Sequence, residues 1–215
     1  MIDPMSDRTD PARAAPPDGG SDRAAGRETG FVVGRVDVVW LGGAARLDFL
    51  QRMSTRRLVD LAPGEGRATA VVSDTGRMVD LVACHAGDAG AALVTTGPGA
   101  AAVVAAHLRR YVLYGDDVRV TDASGQVTVL RVVGPAAIGV VDAAVDGIVA
   151  GDAAGRGGID RAPAGASSVA AMTPGQWRIV GPDARPVWVL RHPRPGGLEG
   201  FDVVVPAGDA ARAAA

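Results

Sequence analysis

Apolar positions along the chain fall into short alternating runs and a few stretches of helical spacing. Phe31-Val32-Val33 and Val36-Asp37-Val38-Val39-Trp40-Leu41 read as two strands parted at Gly34-Arg35, and Gly42-Gly43 ends the second. Leu47, Leu50 and Met53 then recur at helical spacing with Phe49 beside them, while Arg46, Asp48 and Arg52 can face water. That pattern predicts a short amphipathic helix over residues 44–53. Residues 68–73 and 78–84 are β-rich and are joined by Asp74-Thr75-Gly76-Arg77, a connection of hairpin length. A strand over residues 91–95 follows the turn Gly87-Asp88-Ala89-Gly90. Past Gly97-Pro98-Gly99, the residues Val104, Leu108, Tyr111 and Val112 stand at i, i+4, i+7 and i+8, the strongest helical pattern in the chain.

Two more strands are expected over 118–121 and 127–133, around the turn Asp122-Ala123-Ser124-Gly125, and Gly134-Pro135 opens a helix over 136–149. Residues 151–168 are rich in Gly and Ala and read as loop. Strands follow over 177–180, 187–190 and 201–205, and the Ala-rich stretch after Pro206 starts a further helix. The first 28 residues carry no apolar periodicity and are expected to form a disordered tail. The organisation read from this is a tail over 1–29, a first subdomain over 30–134 and a partial second subdomain over 135–215. Hairpins with intervening helices and no βαβ rhythm predict an α+β fold, with an antiparallel or mixed sheet and flanking helices.

Composition narrows the function classes. Only 8 of 215 residues are aromatic, so Val, Leu and Ala must build the core. A net charge of −2 provides no broad positive field to displace counterions from nucleic acid. No apolar run approaches the ~18 residues of a membrane span and no signal-peptide stretch is visible, so a cytoplasmic setting is expected, with neither nucleic acid nor membrane as partner. The single Cys84 excludes an internal disulfide and a cysteine-based metal cage. All 22 basic residues are arginine, which excludes Schiff-base lysine chemistry and a Walker-type phosphate loop.

No local motif forms a catalytic constellation. Cys84-His85 suggests a thiol–imidazole dyad, but neighbours on a strand point to opposite faces, and a buried structural cysteine is expected. His85, His107 and His192 lack ligand spacing and read as isolated histidines. Asp74-Thr75-Gly76 matches the D-T-G of aspartic proteases, yet occurs once and serves equally as a hairpin turn, with Asp bonding backbone and Gly at positive φ. Thr95-Thr96-Gly97-Pro98-Gly99 sits between a strand and a helix, where free N–H groups could hold an anion, although a plain strand-to-helix turn accounts for it. Asp116-Asp117 reads as a solvated turn rather than a cation site. Arg52 with Arg56 and Arg57, and Arg109 with Arg110, could bind a carboxylate or phosphate, or simply face water.

The order of the segments carries more. Leu47-Asp48-Phe49-Leu50-Gln51-Arg52-Met53-Ser54-Thr55, Leu58-Val59-Asp60-Leu61-Ala62-Pro63-Gly64-Glu65-Gly66, Gly76-Arg77-Met78-Val79-Asp80-Leu81, His107-Leu108-Arg109-Arg110-Tyr111-Val112 and Asp117-Val118-Arg119-Val120-Thr121-Asp122 follow one another. Together they resemble the N-terminal domain of the YgfZ-type folate-binding proteins, relatives of the glycine-cleavage T-protein (aminomethyltransferase). The resemblance runs from about residue 31 to 133 and more weakly to 205.

The resemblance implies an aminomethyltransferase folate-binding-domain-like fold without the C-terminal barrel, and a tetrahydrofolate site held by aromatic and basic groups. Arg77, Arg109, Arg110 and Tyr111 are the residues it places near ligand or partner. The YgfZ-type signature Lys-Gly-Cys-Tyr-x-Gly-Gln-Glu, downstream in family members, does not occur in these 215 residues. The loop Thr96-Gly97-Pro98-Gly99-Ala100 also lacks the carboxylate that the T-protein carries there. The implied role is therefore a noncatalytic folate-binding protein in iron–sulfur protein assembly or repair, with a C-terminal partner chain or an iron–sulfur client protein as partner. Two alternatives stand beside it: the N-terminal half of a split folate-dependent aminomethyltransferase, and an assembly subunit without ligand.

Overall fold

The alternating runs pair into two antiparallel sheets in the computed structural model, which describes residues 30–33, 36–88, 90–153, 169–180, 186–192 and 200–209. The elements in chain order are β1 (Gly30–Val33), β2 (Asp37–Gly42), α1 (Arg46–Arg52), β3 (Gly66–Val72), β4 (Met78–Ala86), β5 (Ala91–Thr96), α2 (Ala101–Arg110), β6 (Arg119–Asp122), β7 (Val127–Val133), α3 (Ala137–Ala153), β8 (Trp177–Val180), β9 (Val187–His192) and β10 (Gly200–Pro206). One sheet has the order β3-β4-β5-β2-β6 and the other β1-β7-β10-β9-β8. Every described strand pairing is antiparallel, the first of the two arrangements (antiparallel or mixed) expected of the α+β fold, and no closed barrel forms among the described residues. The tail expected over 1–29 and the loop over 154–168 lie outside the described residues.

Strand alternation sorts the side chains into three apolar layers. On the first sheet Val39, Leu41, Val71, Val82, Cys84 and Val94 face α1 and α2, meeting Phe49, Leu50, Val104 and Leu108. Their neighbours Val38 and Leu93 point the other way, against Trp177, Leu190, Val129 and Val204 of the second sheet. The second sheet's outer face, with Leu130, Val132, Val189, Phe201, Val203 and Val205, is covered by Ala137, Val141 and Val145 of α3. These three α3 residues recur every four positions, as a single buried stripe requires. Each fully buried Leu, Val or Phe contributes about 1.5–3 kcal/mol, so three such layers hold the sheets face to face. Trp40 and Trp188 close the inter-sheet layer, their ring centroids 5.0 Å apart.

The differences from the sequence reading have local causes. α3 runs to Ala153, beyond the expected end at 149, because glycine lowers helix stability by only about 1 kcal/mol and the buried stripe anchors the helix. α2 ends at Arg110, so Tyr111 caps it and, with Val112, packs at the margin of the core. After Pro206 the described chain makes a 3-10 turn, Ala207–Asp209. β1 and β7, grouped by the sequence with residues 30–134, hydrogen-bond into the sheet of β8, β9 and β10. Gly30 and Gly200 lie on either side of Val133.

Candidate functional site

The four residues singled out in the sequence are divided by the structure. Arg77 ends the β3–β4 turn and is exposed; its backbone N–H donates to the Ser73 hydroxyl at 3.1 Å. Tyr111 is half-buried and its ring lies 5.1 Å from that of His107. His107 Nε2 in turn sits 3.1 Å from the Val72 carbonyl, beside Met78 in the strand register. Tyr111 and the β3–β4 hairpin that carries Arg77 are thus brought to one end of the first sheet. Arg109 turns away, its Nε donating to the Val120 carbonyl at 3.0 Å on β6, the opposite edge strand. Arg110 is exposed on the last turn of α2, where a cation also suits the helix dipole.

The loop leading into α2 has a carboxylate after all, supplied from another strand. Asp80 on β4 accepts the Gly97 N–H at Oδ2 (2.8 Å) and the Leu81 N–H at Oδ1 (2.9 Å). A Cβ at Gly97 would stand 3.2 Å from Asp80 Oδ1, so the backbone approaches the acid as only glycine comfortably allows. The segment 96–100 shows no acid in sequence, and the cross-strand reach of Asp80 depends on the β4–β5 register. The available signal was the Asp within Gly76-Arg77-Met78-Val79-Asp80-Leu81.

A second constellation lies between the sheets. Arg131 on β7 and Asp202 on β10 are direct cross-strand partners, joined by Nε to Oδ1 at 2.6 Å and Nη2 to Oδ2 at 2.7 Å. His192 Nε2 lies 2.8 Å from Asp202 Oδ2, and the His85 ring stands edge-on to His192 with centroids 6.0 Å apart. Asp202 is wholly buried. Burial alone would raise its pKa, but the hydrogen bonds from Arg131 and His192 hold the carboxyl well below the usual carboxylate range.

His85 is buried with no hydrogen-bond partner at either ring nitrogen, and burial, reinforced by His192, pushes its pKa down to about 3. It is therefore a neutral ring at ordinary pH. The expectation of isolated histidines is corrected for two of the three: His85 on β4 and His192 on β9 meet edge to face between the sheets. A Cβ at Gly66 would collide with the His85 ring and lie 2.8 Å from the Gly175 carbonyl oxygen, so glycine is what lets this ring pack.

The other sequence candidates take structural roles. Cys84 lies on the helix-facing side of β4 and His85 on the opposite side, and burial pushes the thiol up to about 12. In the Asp74-Thr75-Gly76 turn, Gly76 has φ +75° as expected, but the backbone-bonding side chain is Ser73 rather than Asp74. Asp117 accepts the Ala44 N–H at 2.8 Å, and Asp116 accepts the Leu113 N–H and pairs with Arg52 at 3.2 Å. Among the described residues no group of three His, Cys, Asp or Glu gathers as metal ligands. A cavity of about 170 Å³, lined by Val36, Val38, Ser124 and Val129 among others, is smaller than the ~300 Å³ at the low end of small-molecule sites. No described helix is long and apolar enough to cross a membrane.

Comparison with known proteins follows the fold. Residues 32–173 match the family model described as the GCVT N-terminal domain. No curated protein matches the chain. Among solved structures, the glycine cleavage system aminomethyltransferase T from Bartonella henselae superposes with a TM-score of 0.67 at 17% identity, over 88% of this chain and 45% of that one. A chain of the heterotetrameric sarcosine oxidase from Corynebacterium sp. U-96, in complex with pyrrole 2-carboxylate, superposes with a TM-score of 0.50 at 14% identity, over 88% of this chain and 84% of that one. This chain thus spans less than half the length of the aminomethyltransferase whose fold it shares.

Proposed function

Because the chain belongs to the GCVT N-terminal domain family, we propose that it is a noncatalytic tetrahydrofolate-binding module, its ligand contacts shared with further polypeptide. The observation that carries the noncatalytic part is the placement of Asp80. The acid beside the loop into α2 is engaged by two backbone N–H groups, so it orders the loop rather than standing ready to move a proton. Arg77 and Arg110 are exposed guanidinium groups that suit the anionic tail of a folate. The Tyr111 ring, tilted 58° against that of His107, supplies an aromatic edge. Arg109 is drawn to β6 and serves the fold. These residues suit the tail of the ligand better than its pterin, which favours a site completed by another segment or chain.

The biological role in this reading is the YgfZ-like one, upkeep of iron–sulfur proteins in the cytoplasm, with neither nucleic acid nor membrane as partner. A second reading is an assembly subunit without ligand, suggested by the superposition on a chain of the heterotetrameric sarcosine oxidase.

Calorimetric titration of the purified chain with tetrahydrofolate and 5-formyltetrahydrofolate, after circular dichroism has verified folding, separates the two. Saturable binding supports the folate module. A folded chain that binds neither compound leaves the assembly subunit, or a half of a transferase that needs its complement.

A further inference from the structure

His107 and Tyr111 stand four residues apart at the end of α2, so their side chains share one face of the helix. Their rings meet with centroids 5.1 Å apart. His107 makes a second contact, from Nε2 to the Val72 carbonyl at 3.1 Å. A carbonyl only accepts, so Nε2 carries the proton and the ring donates to the last residue of β3. One half-buried side chain thus touches both the end of α2 and the base of the β3–β4 turn.

That turn has few other anchors. The β3–β4 ladder is interrupted just before it, because Val71 pairs with Asp80 and Val72 with Met78, which leaves Val79 as an extra residue on β4. A bulge of this kind disrupts the pairing and re-aims the chain beyond it. Past the bulge, the Val72 N–H donates to the Met53 carbonyl, and the Val72 carbonyl takes the His107 bond. Within the turn, the Ser73 N–H donates to the Arg77 carbonyl at 2.8 Å and the Arg77 N–H to the Ser73 hydroxyl at 3.1 Å. The backbone of Arg77 is therefore tied to Ser73, the residue directly after the one that His107 holds. The Arg77 guanidinium itself forms no hydrogen bond or ion pair among the described residues and is left for a ligand.

We propose that His107 is a positioning residue of the folate site, fixing the Tyr111 ring and the Arg77 hairpin relative to one another so that the two form one subsite for the anionic tail of the ligand. The inference rests on the folate reading above. His107 touches no ligand in it: the donor at Nε2 sets where Arg77 stands, and the ring face sets where Tyr111 stands. Arg77 then meets a tail carboxylate from a fixed backbone, which spares the cost of ordering the turn on binding.

Two variants separate the contacts. His107→Phe keeps a ring against Tyr111 and loses the donor, whereas His107→Gln keeps an N–H donor for the Val72 carbonyl. Amide exchange of the ligand-free chain at Ser73 and Arg77 should be at least fivefold faster in His107→Phe and return to within about twofold of the natural chain in His107→Gln. Calorimetry with 5-formyltetrahydrofolate should show binding weakened three- to tenfold in His107→Phe. In a chain already carrying Arg77→Ala, the same change should cost no further affinity, since its effect runs through Arg77. Unchanged exchange in His107→Phe, no recovery in His107→Gln, or an undiminished loss of affinity in the Arg77→Ala chain overturns the proposal. A natural chain that binds no folate overturns the reading beneath it; faster exchange in His107→Phe then still supports the hold on the hairpin, and unchanged exchange overturns that too.

Discussion

Arg131 and Asp202 face each other across β7 and β10 with two charged hydrogen bonds of 2.6 and 2.7 Å, and the carboxylate is wholly buried between the sheets. Removing Arg131 strands the buried Asp202 charge, so Arg131→Met is expected to destabilise the fold by about 3–5 kcal/mol, and Asp202→Asn, which leaves the Arg131 side chain 26% exposed to water, by less. The double change Arg131→Met with Asp202→Leu removes both charges and costs less than Arg131→Met alone. Urea denaturation of the three variants measures this; a double variant as unstable as the sum of the singles contradicts it.

His85 makes the stability of the fold fall in acid. Its folded-state pKa of about 3 lies below the ordinary histidine value of 6.5, so between these values the unfolded chain binds a proton that the folded chain refuses. Stability is full above pH 6.5 and is lost as pH falls toward 3, by up to ~1.4 kcal/mol per pH unit. Asp202, whose carboxyl is also depressed, adds to the loss only below its ordinary value of 3.8. Urea midpoints at pH 7, 6, 5 and 4 should decline for the natural chain and stay nearly level for His85→Leu. An equal decline in both would assign the acid sensitivity elsewhere.

Asp80 holds the start of α2 through the Gly97 N–H. Asp80→Ala leaves that half-buried donor unpaired and is expected to cost about 1–3 kcal/mol. Amide exchange at Gly97 should accelerate in this variant, while exchange within β7 and β10 is unchanged. A Gly97 amide as protected as in the natural chain would mean that the hydrogen bond is unimportant to the loop.

The three arginine candidates make separable predictions for folate. Arg77→Ala and Arg110→Ala should each weaken binding about three- to tenfold without changing thermal stability. Arg109→Ala should lower the melting temperature by releasing β6, with affinity little changed. Calorimetry paired with thermal melts distinguishes the cases, and full affinity in Arg77→Ala removes that residue from the ligand side.

Much of this architecture is written locally. The bounds of β7 and β8 coincide with the alternating runs at 127–133 and 177–180, and the opposite orientation of Cys84 and His85 follows from strand geometry alone. Periodicity of two or 3.6 residues is set by neighbours in sequence, which is why elements, buried stripes and the α+β class can be read without coordinates. What only the tertiary structure decided is which distant strands meet. Gly30, Val133 and Gly200 lie side by side in a pairing that brings Arg131 to Asp202, the packing of the two sheets brings His192 to His85, and the β4–β5 register brings Asp80 to an acid-free loop. Such contacts depend on the fit of whole sheet faces far apart in the chain, a property that no single stretch of sequence carries.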